Sequence, residues 1–192
     1  LGGLLWSAEV RAGETSVDVA AGYALPLGDR EVGPSGAGVG LRGGYTFDSH
    51  LFLGASGHFH FAESRARARS ATALLELGYM APFGDLSLRP FVSLRPFVGA
   101  GLAAFGGAEV RLCSTAGDAC DHYSTGWGVH PAAALGVLFR YEWGAGFHLG
   151  ADLRLTAVVH PEYSQPDEYG YQSSSIAAGG AAASSAVFGI DF

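Results

Sequence analysis

The sequence predicts an all-β protein, an up-and-down antiparallel transmembrane barrel of about eight strands. Three observations predict it. Apolar and polar residues alternate with period two through most of the chain, as strands with one apolar face require. Short and long connections take turns. The chain is 48% hydrophobic and only 15% charged, with a mean hydropathy of +0.22. Yet no stretch reaches the roughly 20 strongly apolar residues of a membrane helix, so the apolar surface must be hidden by strands.

The elements follow in order. Val17 to Leu27 sets Val19, Tyr23 and Leu25 against Asp18 and Gly22. Ala37 to Phe47 sets Val39, Leu41, Tyr45 and Phe47 against Arg42 and Thr46. Leu51 to Phe61 opposes Leu53, Ala55 and Phe59 to Gly54, Ser56, His58 and His60. Ala71 to Phe83 opposes Leu75, Leu77 and Tyr79 to Thr72, Glu76 and Gly78. Trp127 to Trp143 sets Val129, Leu135, Val137, Phe139 and Tyr141 against His130, Gly136, Arg140 and Glu142. Phe147 to Val159 is the clearest, with Leu149, Leu153 and Leu155 opposite His148, Asp152, Arg154 and Thr156. The last strand ends on Phe188, Ile190 and Phe192.

Two stretches are less regular. Residues 86–105 are long for one strand, and Pro90 and Pro96 remove ladder donors, which predicts bulges there. Residues 1–14 alternate in the opposite phase to Val17 onward. They are read as an N-terminal extension or added strand, with the barrel over 15–192. The chain opens on Leu1 and its single methionine is Met80, so the native start is expected upstream.

The connections divide into two sets. Short turns fall at Asp48-Ser49-His50, Gly84-Asp85 and Gly144-Ala145-Gly146. Long polar segments fall at 26–35, 62–70, 106–126 and 160–175. Aromatic residues cluster beside the short turns: Tyr45, Phe47, Tyr79, Phe83, Tyr141, Trp143 and Phe147. This is the pattern of an interfacial girdle. Tyr23, Phe59, Phe61 and Trp127 are placed as a second girdle.

These alternating segments, the Arg95-Pro-Phe-Val-Gly-Ala-Gly101 stretch and the aromatic terminus resemble small bacterial outer-membrane β-barrel proteins, the OmpA transmembrane domain, OmpX and OmpW-like groups. The resemblance spans about residues 15–192 and is architectural. It implies a multi-pass protein of the bacterial outer membrane, with lipid and lipopolysaccharide as surroundings and extracellular loops open to a protein partner. In that family a terminal Phe is the signal read by the barrel assembly machinery, and Phe192 matches it. Some small barrels are lipid A acylases or deacylases using His and Ser, but no Ser/His/Asp spacing here calls for that chemistry. The chain is read as no enzyme, with no cofactor and no metal.

Charge and cysteines bound the function further. A net charge of −7 argues against nucleic acid, whose phosphates need a basic face. All eleven basic residues are Arg. The polar strand faces collect Asp18, Glu76, Glu142, Asp152 and Asp191 with Arg42, Arg89, Arg95, Arg140 and Arg154. Buried charges need partners, so these residues predict a salt-bridged lumen. Arg65, Arg67 and Arg69 alternate just past a strand end, at the height of lipopolysaccharide phosphates, and guanidinium suits phosphate geometry. Cys113 and Cys120 lack metal-ligand spacing. In an oxidising compartment they are expected to close a loop disulfide. His58 and His60 lie two apart on a polar face and invite a metal reading only if a third ligand joins them. Glu162, Asp167 and Glu168, with Asp118 and Asp121, match no calcium-loop spacing.

The function expected is therefore an integral outer-membrane barrel with a packed polar lumen and a structural or loop-mediated role. The alternative is a narrow channel or lateral conduit for small solutes. A soluble ligand-binding barrel is the remaining rival, and it would turn its apolar face inward.

Overall fold

The computed structural model describes residues 13–27, 35–61, 69–83, 90–106, 109–113, 120–124, 128–143, 146–163 and 174–192, with the backbone alone for 109–113, 120–124, 160–163 and 174–178. The strands are β1 (Glu14–Leu27), β2 (Gly36–Thr46), β3 (Leu51–Phe61), β4 (Arg69–Tyr79), β5 (Ala81–Phe83), β6 (Phe91–Gly106), β7 (Glu109–Cys113), β8 (Cys120–Ser124), β9 (Gly128–Trp143), β10 (Phe147–Tyr163) and β11 (Ser174–Asp191). Every pairing is antiparallel. The sheet runs β4-β3-β2-β1-β11-β10-β9-β6, and β4 pairs with β6 to close it. β5 continues β4 along β6, so the closed barrel has eight staves. Closure leaves no unpaired edge around the wall, which a hydrocarbon environment demands.

The seam between the first and last staves is long. β1 pairs with β11 from Ser16↔Asp191 to Leu27↔Gly180. Thr15 and Phe192 extend it with two reciprocal backbone hydrogen bonds, of 3.3 and 2.9 Å. The short turn after β2 is held by Phe47 N–H donating to Leu51 O and His50 N–H donating to Phe47 O, both at 2.8 Å. The turn before β10 uses Gly146 at φ +82°, where a Cβ would lie 2.5 Å from the Asp191 carbonyl oxygen. Only glycine fits so close an approach in that conformation.

The predicted bulges are absent from β6. Against β4 and β5 the register runs from Gly78↔Phe97 to Ala81↔Leu94 with no extra residue. Against β9 it is unbroken from Phe91↔Glu142 to Phe105↔Gly128. Pro90 precedes the strand. Pro96 lies opposite Tyr79 in that register, at the interruption between β4 and β5. The missing donor thus costs local ladder bonds and inserts no residue. The reading of residues 1–14 as an extension or added strand falls mostly on residues 1–12, which lie outside the described residues, while Glu14 opens β1.

The alternation sorts the wall into two faces. Leu75, Leu41 and Leu153 are 70%, 63% and 59% exposed, whereas Arg95, Arg140 and Glu76 are at most 1% exposed. This inverts the burial of a soluble protein and matches a barrel that faces lipid. It overturns the soluble ligand-binding alternative, which required the apolar face inside. Beside the short turns Tyr45 meets Phe47 edge-on at 4.9 Å, Phe147 stacks on Phe188 at 6.1 Å, and Trp143 neighbours both Tyr141 and Phe188 at 6.4 Å. These contacts form the girdle.

Candidate functional site: a filled lumen with two charge networks

The lumen is built from the polar phase of each strand. Its middle holds a closed square of charges. From β2, Arg42 reaches Glu76 of β4, with Nε 2.8 Å from Oε2, and Asp152 of β10 at 2.5 Å. From β10, Arg154 reaches Glu76 at 2.8 Å and Asp152 at 3.1 Å. Ser56 of β3 donates to Glu76 at 2.5 Å and accepts from Arg154 at 3.1 Å. Both guanidiniums lie against the Phe97 ring of β6, at 4.8 and 4.9 Å from its centre. Two cations and two anions face one another, so each buried charge has a partner. The ring supplies cation–π attraction across the remaining gap.

A second network lies nearer the short turns. Arg140 of β9 contacts Asp191 of β11 at 2.5 Å and Glu142 at 3.2 Å. His148 of β10 bridges two acids, with Nε2 2.8 Å from Asp18 and Nδ1 3.0 Å from Asp191. The Arg140 guanidinium also lies 2.9 Å from Nδ1. If Nδ1 is bare it accepts from Arg140, and if protonated it donates to Asp191. Arg95 of β6 stands 3.6 Å from Asp18 and lies over the Phe52 ring at 3.7 Å.

Of the charges expected in the lumen, Asp18, Arg42, Glu76, Arg95, Arg140, Glu142, Asp152 and Arg154 are all buried there, as is Asp191. Arg89 lies outside the described residues. His148 is a network member that the sequence reading left unassigned, although its position opposite Leu149 already placed it inward. Phe52, Leu138 and Phe97 were not anticipated as lumen fillers, yet they are 0%, 0% and 4% exposed. Nor was the apolar cluster of Leu74, Ala103, Ala132, Ala134 and Val158, with Phe105 against it, toward the long-loop end. The lumen is therefore polar in its middle and near the turns, and partly apolar above.

Lumen glycines are seats for these side chains. A Cβ on Gly44 or on Gly54 would run into the Phe52 ring, and one on Gly136 would come within 2.6 Å of Phe97. A cavity of about 10 Å³ remains among His58, His60, Thr72, Asp152, Arg154, Thr156 and small residues of β11. That is close to the space of a single water. His58 and His60 stand with near-parallel rings 6.3 Å apart. They join no group of three metal-ligating side chains among the described residues.

The remaining candidates lie at the rims. Arg69 opens β4 and is exposed, while Arg65 and Arg67 lie outside the described residues. Cys113 and Cys120 are opposite each other in the β7–β8 ribbon, but their side chains lie outside the described part. Asp118, Asp167 and Glu168 lie outside it too, as do the side chains of Asp121 and Glu162. Phe192 is 73% exposed beside Thr15.

A closed antiparallel barrel of eight staves, apolar outside and ion-paired within, defines the class: a small transmembrane β-barrel. No known family model matches the chain, and no curated protein matches it. Among solved structures it is similar to a major outer membrane protein from Thermus thermophilus, with 13% identity over 94% of this chain and 100% of that chain, and a TM-score of 0.52. It is also similar to Neisserial surface protein A, with 16% identity over 94% of this chain and 97% of that chain, and a TM-score of 0.51. At these identities the likeness establishes the fold.

Proposed function

We propose that this chain is an integral, multi-pass barrel of the bacterial outer membrane, non-conducting and non-catalytic, that serves the envelope structurally or presents its long loops to a partner. The observation that carries this reading is the central square of Arg42, Glu76, Asp152 and Arg154. It spans the lumen between β2, β4 and β10, and side chains can fill the interior of an eight-stranded barrel. Planar-bilayer recording on the purified protein tests it. The expected result is no steady conductance at neutral pH, and a large, persistent conductance would replace this reading with the channel alternative.

Three finer roles attach to the rims. Arg65, Arg67 and Arg69 are assigned to lipopolysaccharide phosphates, supported by the exposure of Arg69 at the long-loop end. Changing all three to Gln should lower co-purified lipopolysaccharide in a salt-sensitive way, and unchanged lipid would remove the assignment. Phe192 is assigned as the signal for the barrel assembly machinery, supported by its exposed ring. Its deletion should reduce insertion in cells while refolding into detergent survives; equal insertion would end that role. Cys113 and Cys120 are assigned as a disulfide, supported by their cross-strand register, and free-thiol labelling of the native protein decides it.

A further inference from the structure

We propose that His148 is a proton-operated clasp on the barrel seam: one proton taken up from solvent at Nδ1 ties β10 to β11 as well as to β1, and hands an Arg140 N–H over to Glu142. Three neighbouring staves meet at this imidazole, in the order β1-β11-β10. Nε2 lies 2.8 Å from Oδ1 of Asp18 on β1, and Nδ1 lies 3.0 Å from Oδ2 of Asp191 on β11.

The backbone is shaped for that reach. His148, Gly189 and Asp18 share one row across the three staves. The contact passes over Gly189, where a Cβ would lie 2.3 Å from both His148 Nε2 and Asp18 Oδ1. Any side chain at 189 would part the pair. His148 is fully buried, so its ring nitrogens depend on protein partners.

The two nitrogens differ in their surroundings. Among the described residues Nε2 pairs with a carboxylate alone, so it carries a hydrogen in either charge state. Nδ1 faces a donor and an acceptor together, Arg140 Nη2 at 2.9 Å and Asp191 Oδ2 at 3.0 Å. Bare, Nδ1 accepts from Arg140. Protonated, it donates to Asp191, and the Arg140 N–H that pointed at it then faces another donor. That N–H has a destination. Glu142 Oε1 is 3.2 Å from the same Nη2, and neither oxygen of Glu142 accepts a hydrogen bond among the described residues. Arg140 keeps its contact with Asp191 at 2.5 Å. The idle oxygens of Glu142 are the acceptors that the protonated state requires.

Charges from every neighbouring stave face this ring. β1 supplies Asp18, and also Glu14, whose carboxylate lies within 4.8 Å of those of Glu142 and Asp191. β11 supplies Asp191, and β9 supplies Arg140 and Glu142. Arg95 of β6 stands 3.6 Å from Asp18. The imidazolium is held by acids on two staves and the neutral ring by one acid and a guanidinium. Both forms are therefore satisfied, and imidazole exchanges them at about pH 5–8 unless its surroundings forbid one.

NMR of the detergent-refolded, ¹⁵N,¹³C-histidine-labelled protein tests the clasp, with the His148 ring assigned by through-bond correlation to its own Cα and Cβ. At about pH 9 the ring is expected neutral with its hydrogen on Nε2, and at about pH 5 both nitrogens carry hydrogens. Thermal unfolding of Glu142→Gln supplies the second arm. Its midpoint should match the parent at the higher pH and fall below it at the lower, where Arg140 has turned to Glu142. Titration of Glu142 itself would work the other way, shrinking the loss in acid. A neutral ring with its hydrogen on Nδ1, one protonation state across the range, or a Glu142→Gln loss that is equal or smaller in acid overturns the proposal.

Discussion

The two charge networks of the lumen use the same residue types to different ends. In the middle, Glu76 receives Arg42, Arg154 and Ser56, and Asp152 receives both arginines. Near the turns, Glu142 is as deeply buried yet accepts no hydrogen bond. The middle network is a self-contained strut. The turn-side network routes its pairing through His148, which bridges Asp18 and Asp191, and Arg95 there rests chiefly on the Phe52 ring. Burial alone therefore does not tell how much a charge contributes. The count and placement of its partners does.

Breaking one partner in each network is the sharpest test of that contrast. Glu76→Gln should cost about 3–5 kcal/mol, because it leaves two buried guanidiniums to share the single carboxylate of Asp152. Glu142→Gln should stay within about 1 kcal/mol of the parent, because Arg140 keeps Asp191 and a crowded carboxylate is removed. Denaturant unfolding in detergent measures both. Equal losses would erase the distinction between the two networks.

A smaller effect separates the lumen from the outer wall. Leu153→Arg, mid-strand on the exposed face, should cost about 2–4 kcal/mol in a bilayer. Thr156→Asn, three residues on and facing inward beside the small cavity, should cost less. Unfolding in lipid vesicles compares them, and a larger loss for Thr156→Asn would invert the two faces.

The smallest effect is expected beyond the barrel. β7 and β8 form a separate two-stranded sheet. A disulfide across so short a loop contributes about 2–3 kcal/mol of chain entropy in the simplest model. Cys113→Ser should therefore loosen the ribbon, seen as faster proteolysis between β7 and β8, while the barrel midpoint in detergent holds. A fallen midpoint would tie the ribbon to the barrel.

Most of the wall was legible in the residues because a strand has a period of two. Once Leu153 faces lipid, Asp152 and Arg154 must face the lumen, and the short turns carry that phase from strand to strand. Local pattern therefore determined the closed architecture, the inward charges and the girdle beside the turns. The bulges expected at Pro90 and Pro96 show where local chemistry misleads. A missing N–H can be absorbed by a gap in the ladder, and whether a residue is inserted depends on the register of both neighbours.

The sequence by itself determined which acids and arginines enter the lumen, since that follows from phase; the apolar fillers Phe52, Phe97 and Leu138 were seen only in the folded barrel. Only the tertiary structure decided who meets whom there. Asp152 is adjacent in sequence to neither Arg42 nor Glu76, and β10 faces β2 and β4 across the barrel through stagger and closure. The same closure brought Asp18, Arg140, His148 and Asp191 together and seated Phe52 over Gly44 and Gly54. Partners across a barrel are set by strand order and shear, which no single strand's alternation contains.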